Sequence, residues 1–247
     1  MKTSQQWVNY FKENLEIKRI DWNQPPSITQ KELKGILRSM QEWQLGETSD
    51  GKNLLKAASS YAEKIDDPYY IKAMKLFIKE EQKHGNNLGK YLDLIGQPRI
   101  QKNWGDSLFR MVRHLNNSME WWTSTVIIVE SAAQIFYQSL KDATGCILLK
   151  QICTDILIDE AAHIQFQQER LSIIFRSKST TGRRISYYWY KYFFLFVSLV
   201  VWAAHRKLFK AGGCTFQPYY RKMQFKLLKT IGKLKQEIEE KYIFRPS

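Results

Sequence analysis

Two stretches of this chain decide its fold, Glu81-Gln-Lys-His84 and Glu160-Ala-Ala-His163, and each lies inside a run with helical spacing of apolar residues. Residues three apart on an α-helix stand on one face, so each stretch presents a carboxylate and an imidazole side by side. A carboxylate can bridge two cations, and an imidazole can cap one. Accident is a poor explanation. Glu fills 15 of 247 positions, so a given histidine follows a Glu by three residues about 6% of the time, and two of four histidines doing so is roughly a 2% event.

Working outward, Glu130 sits in Val126-Ile-Ile-Val-Glu130-Ser-Ala-Ala, a charge in an otherwise apolar run. A carboxylate there is costly unless it is paired or bound to metal. Glu130 lies 15 residues before Gly145 and Glu160 lies 15 after it, which puts the two at one level of an antiparallel helical hairpin. On the other hairpin Glu47 precedes Asp66 by 19 residues and Glu81 follows it by 15, a looser match that a bent or broken first helix absorbs. Glu42 is a rival to Glu47. Two Glu-x-x-His pairs plus one Glu from each of two further helices make a dinuclear site in a bundle core. The candidate ligands are therefore Glu47, Glu81, His84, Glu130, Glu160 and His163. The neighbours Glu80 and Asp159 are expected to face solvent or to stand behind the ligands. His114 and His205 lack partner spacing and are expected at the surface or an interface.

Strand-like alternation is scarce, so the fold class is all-α. Residues 1–26 read as a polar, irregular lead. Ser27 with Gln30 matches a capping box, and the pattern it opens runs to about Lys64, with a break near Gly46 or Gly51. A second helix is predicted from Pro68 to about Ile95. A connection follows over 99–118, with a short helix around Ser107 to His114. A third helix is predicted from Met119 to Lys141, and a fourth from near Cys146 to about Arg176. Ser177 to Arg184 reads as a basic linker. Ile185 to Ala204 carries one charge, Lys191. A basic amphipathic helix is predicted from Tyr219 to about Tyr242, with Leu227, Leu228, Ile231, Leu234 and Ile238 as its stripe. The division is thus 1–26 lead, 27–176 bundle with the dinuclear site, and 177–247 basic, aromatic-rich helical extension.

The net charge of +14 belongs entirely to the last third. Residues 1–169 carry 21 basic and 21 acidic side chains, and residues 170–247 carry 17 and 3. Such a segment points to an anionic partner. No basic groove or recognised motif supports nucleic acid. The aromatic stretch followed by a lysine-rich helix suits an anionic membrane surface, while packing of the stretch on the bundle or on a second copy in a homodimer remains the plainer expectation. Cys146, Cys153 and Cys214 form no CxxC pair and read as buried or incidental free thiols in a reducing compartment. The polar first fifteen residues do not suit export, so the expectation is a cytoplasmic protein, peripheral to the inner membrane face if the tail meets lipid.

The order Glu, Glu-x-x-His, Glu, Glu-x-x-His over residues 27–176 resembles the ferritin-like superfamily of di-iron carboxylate proteins. The resemblance implies a ferritin-like four-helix bundle with extra C-terminal helices and two iron ions, Fe/Fe or alternatively Mn/Fe. Glu81 and Glu160 would bridge them, His84 and His163 would be terminal, and Glu47 and Glu130 would be terminal carboxylates. The chain has no CxxC pairs, has Ala133 where rubrerythrins carry a second Glu, and has a C-terminal addition absent from storage ferritins. By this resemblance the expected activity is that of an oxidase or oxygenase that uses O2, a hydrophobic organic substrate and an external electron donor. The alternatives are iron handling or peroxide detoxification, and a non-catalytic bundle whose tail binds membrane or a partner.

Overall fold

The structure, a computed structural model, describes residues 1–103, 118–232 and 234–235. Eight helices occupy them: α1 Ser4–Glu16, α2 Gln30–Glu47, α3 Lys52–Lys64, α4 Pro68–Leu94, α5 Met119–Asp142, α6 Ile147–Arg176, α7 Thr180–Ala211 and α8 Phe216–Lys229. Helices α2, α4, α5 and α6 form a four-helix bundle. The closest pair is α5 and α6, joined by a turn at residues 143–146. Helix α5 is enclosed by α3, α6, α7 and α8, which explains why its sequence is apolar on nearly every side. Burying side chains such as Phe136, Ile127 and Ile128, each fully enclosed, contributes about 1.5–3 kcal/mol apiece.

Helix starts follow from capping chemistry. Thr29, not Ser27, caps α2: its hydroxyl accepts from the Glu32 N–H, and Glu32 reaches back to the Thr29 N–H. The expected box was two residues early because Thr29 and Glu32 offer the same pattern with a stronger acceptor. Asp67 accepts from the Tyr70 N–H, with Pro68 at the first helical position of α4. The anticipated break between α2 and α3 falls at residues 48–51. There Gly51 takes φ +64, and a Cβ would come within 2.6 Å of Ile78.

Three expectations are corrected. The N-terminal lead contains a helix, α1, capped by Thr3 and docked on α4 through Trp7, Val8 and Phe11. Its polar outer residues hid a narrow apolar stripe. The supposed linker at 177–184 shrinks to residues 177–179, because α7 starts at Thr180 with Ser179 as its N-cap. His205, expected at the surface or an interface, is 8% exposed and lies inside the chain's own helix packing. It lies at a kink in α7 between Trp43 and Phe136, with its Nδ1 3.1 Å from Ser39 Oγ. The short helix expected around 107–114, His114 and Ile238 lie outside the described residues.

Helix α7 has two faces. Tyr190, Phe194, Leu208 and Phe209 join the bundle's main core, together with Tyr219, Met223 and Leu227 of α8. On the other face Ile185, Tyr188, Trp189, Tyr192, Phe196 and Leu199 stand exposed at helical spacing. By length and composition α7 could cross a membrane. Leu228 of the α8 stripe is also exposed. The three cysteines are buried and free.

Candidate metal centre

All six sequence candidates converge inside the bundle. Potential ligand atoms of Glu47, Glu81, His84 and Glu160 lie within 4.8 Å of one another, and so do those of Glu81, Glu130, Glu160 and His163. The two sets share Glu81 and Glu160. One position is thus completed by Glu47 and His84, and the other by Glu130 and His163. Glu42 is elsewhere, bonded to Arg38 and Asn103.

Each histidine turns Nδ1 inward. His163 Nδ1 is 2.7 Å from Glu81 Oε1 and 3.8 Å from Glu160 Oε2, and His84 Nδ1 is 3.7 Å from Glu160 Oε1. Each Nε2 faces a carboxylate behind it: His84 meets Asp159 Oδ2 at 3.0 Å, and His163 meets Glu80 Oε2 at 2.8 Å. Such a bond places the proton on Nε2 and leaves Nδ1 as the electron-pair donor. Glu80 and Asp159, expected to face solvent or to stand behind the ligands, are fully buried and bonded to the two histidines. The wiring is crossed. Glu80 of α4 serves the histidine of α6, and Asp159 of α6 serves the histidine of α4.

Sequence reasoning missed several supporting groups. Tyr137 Oη donates to Glu47 Oε1 at 2.7 Å, and Trp43 Nε1 donates to the same oxygen at 2.9 Å. Tyr137 lies seven residues after Glu130, two turns along one face, a spacing that was available in the sequence. Lys83 bonds Asp159 at 2.7 Å and Asp155 at 3.2 Å, and Arg19 bonds the same two carboxylates. No local pattern flagged Arg19, because its carboxylate partners are more than 130 residues away. Gly85 lets α4 approach the end of α2: a Cβ there would lie 3.1 Å from the Glu47 carbonyl carbon.

Electrostatics follow from burial and crowding. Burial, then the charges of Glu81 and Glu160, push the Glu47 carboxyl well above its usual range. Burial and Glu81 likewise raise Glu160. Burial would raise Glu81 too, but the adjacent His163 and His84 hold it down to about 2. Burial opposes protonation of His163, yet Glu81, Glu160 and Glu80 raise it well above normal.

The residues fit a pair of cations. Both Glu160 oxygens and His84 Nδ1 are buried and make no hydrogen bond, and Glu81 Oε1 and His163 Nδ1 have only each other, at 2.7 Å. Buried polar atoms left this way cost free energy unless something binds them. Four inward carboxylates also balance two divalent charges, and oxygen-and-imidazole donors suit first-row metals.

The fold is a ferritin-like helical bundle, and its core holds a carboxylate–histidine cluster of a composition that could bind two metal ions. No family model matches the sequence, and no curated protein matches it. Two solved structures are similar. One is a tyrosine-to-phenylalanine mutant of an R2-like ligand-binding oxidase with an anaerobically reconstituted Mn/Fe cofactor. It is 17% identical with a TM-score of 0.69, over 96% of this chain and 94% of that one. Another such mutant, with an aerobically reconstituted Mn/Fe cofactor, is 19% identical with a TM-score of 0.68 over the same shares. The likeness is one of fold.

Proposed function

We propose that this protein is a dinuclear metal oxidoreductase that reacts with O2 to oxidise an organic substrate. The observation that carries the reading is the pair of overlapping ligand sets sharing Glu81 and Glu160, with both Glu160 oxygens and His84 Nδ1 buried and without a hydrogen bond. The Mn/Fe cofactors of both similar oxidases favour Mn/Fe or Fe/Fe here. Such a pair supplies redox chemistry that carboxylates and imidazoles lack. The chain's part is to bind and orient. Glu81 and Glu160, common to both ligand sets, would be shared by the two ions. Asp159 and Glu80 keep the protons of His84 and His163 on Nε2. Tyr137 and Trp43 both donate to Glu47 Oε1 and so hold its carboxylate in place. Phe77, with its ring centroid 4.7 Å from that of His163, helps to exclude water. Electrons come from an external donor.

The test is anaerobic loading with Fe2+, and with Mn2+ plus Fe2+, followed by metal analysis and optical spectra on adding O2. Two metals per chain and an O2-dependent absorption change are expected. Both should be lost in Glu160→Ala and His163→Ala. Loading below one metal per chain, or spectra indifferent to O2, would refute the reading.

A second proposal concerns location. The exposed Ile185, Tyr188, Trp189, Tyr192, Phe196 and Leu199 form one stripe on α7, flanked by Arg184, Lys191 and Arg206. Contiguous exposed apolar surface of this kind marks an interaction site, and Trp and Tyr with basic flanks suit the interface of an anionic bilayer. Each basic side chain near such a surface contributes about 1 kcal/mol, and salt weakens that share without removing the apolar one. Co-sedimentation with anionic vesicles should exceed that with neutral ones and should fall in Trp189→Ser with Phe196→Ser. Equal binding to both vesicles, or none, rejects it.

A further inference from the structure

Behind the two histidines a single side chain joins both halves of the centre. Asn14, at the end of α1, is 3% exposed. Its Nδ2 donates to Glu80 Oε1 at 2.7 Å and to Asp159 Oδ1 at 2.8 Å. Its Oδ1 accepts from the Arg19 guanidinium. Every polar atom of the amide is thus engaged. The two N–H bonds diverge at the fixed angle of a planar amide, so Asn14 sets the separation of the two carboxylates. Those carboxylates are the partners of His163 and His84, which belong to different metal positions.

Helix α1 is held firmly enough for this task. Trp7 and Phe11 are buried against Phe166, with ring centroids 5.3 and 5.4 Å away. Trp7 Nε1 donates to Glu169 at 2.9 Å. Phe11 lies 6.0 Å from the His163 ring. Displacement of either histidine toward a bound ion therefore passes to its carboxylate, through one rigid amide, to the other carboxylate and the other histidine. Groups behind metal ligands orient them, and their loss commonly costs 10–100-fold in metal affinity.

We propose that Asn14 is a positioning residue that couples the two metal positions, so that they fill as a pair rather than one after the other. This rests on the dinuclear reading above. One amide reaches both histidines, which gives coupling a direct physical route. Two independent supports, one behind each histidine, would leave only the shared carboxylates Glu81 and Glu160 to link the positions.

The experiment uses the full chain without metal and Mn2+ alone as probe, followed by electron paramagnetic resonance and calorimetric titration. At one Mn2+ per chain the natural protein should show mainly the broadened signal of exchange-coupled pairs, with little of the sharp hyperfine signal of isolated Mn2+. Asn14→Leu keeps the branching of the side chain and removes the bonds. Asn14→Asp is a second variant of the same shape, which sets a third carboxylate against Glu80 and Asp159. Both should show isolated Mn2+ at one equivalent, with the second ion binding at least about tenfold more weakly than the first. Circular dichroism of the metal-free variants checks that the helices persist, and Asn14→Asp decides the matter if Asn14→Leu unfolds. Coupled pairs persisting in the variants overturn the proposal, as does isolated Mn2+ in the natural protein at one equivalent. Failure of the natural protein to bind Mn2+ at any concentration is a different result, and it removes the dinuclear reading itself.

Discussion

Replacing Glu160 by Leu should make the metal-free protein more stable and the metal-loaded protein less so. Glu160 is fully buried, and neither of its oxygens has a hydrogen-bond partner. An unpaired buried polar group costs about 1–3 kcal/mol, and exchanging buried ionisable groups for apolar ones of similar volume is often stabilising. His84 and His163 keep Asp159, Glu80 and Glu81 as partners, so the exchange strands no imidazole. A gain of roughly 1–3 kcal/mol raises Tm by about 2–10 °C in a chain of this size. The gain also has a pH signature. Burial raises the Glu160 carboxyl above its usual 4.5. The natural protein's stability from this group is therefore complete below that value and declines as pH rises through the raised one. The variant's advantage should widen from about pH 4.5 toward neutrality. Metal reverses the order. Saturation at a hundredfold above Kd is worth about 2.7 kcal/mol per ion to the natural protein. Glu160 belongs to both ligand sets, so its loss removes most of that for both ions. The assay is thermal unfolding followed by circular dichroism, in chelator and in excess Mn2+. A variant that is less stable than the natural protein in chelator, or that still gains several degrees from Mn2+, would refute the reasoning.

Two other outcomes are expected. Gly85→Ala would set a Cβ 2.9 Å from Thr48 Cγ2 and 3.2 Å from Glu47 Cβ. It should cost about 1–3 kcal/mol by overpacking and weaken metal binding at the Glu47–His84 position, measured by chemical denaturation and Mn2+ titration. Burial, then Arg38, lowers the His205 pKa from 6.5 to about 4. A depressed histidine contributes stability that is present above 6.5 and is lost as pH falls through 4. Denaturation midpoints should therefore drop by the equivalent of roughly 3 kcal/mol across that window, and His205→Phe should abolish this share of the loss.

Local periodicity carries the part of this protein that its sequence determined. The Glu-x-x-His pairs placed Glu81, His84, Glu160 and His163 because three residues is nearly one helical turn, whatever the helix later packs against. The equal spacing about Gly145 aligned Glu130 with Glu160, since a hairpin with a short turn leaves little choice of register. Glu47 was harder to place. Its level depends on a break at residues 48–51 and on the close approach that Gly85 permits, both properties of two helices together. Only the tertiary structure decided the rest. It set Glu80 behind the histidine of α6 and Asp159 behind that of α4, a crossing that no single helix encodes. It turned a polar N-terminus into the helix that brings Asn14 across both. It also divided α7 into a face in the core and an exposed aromatic face, where composition alone showed one apolar run. Periodicity fixes which residues share a face. Which face meets which partner depends on contacts between residues far apart in the chain, and those exist only once the helices have packed.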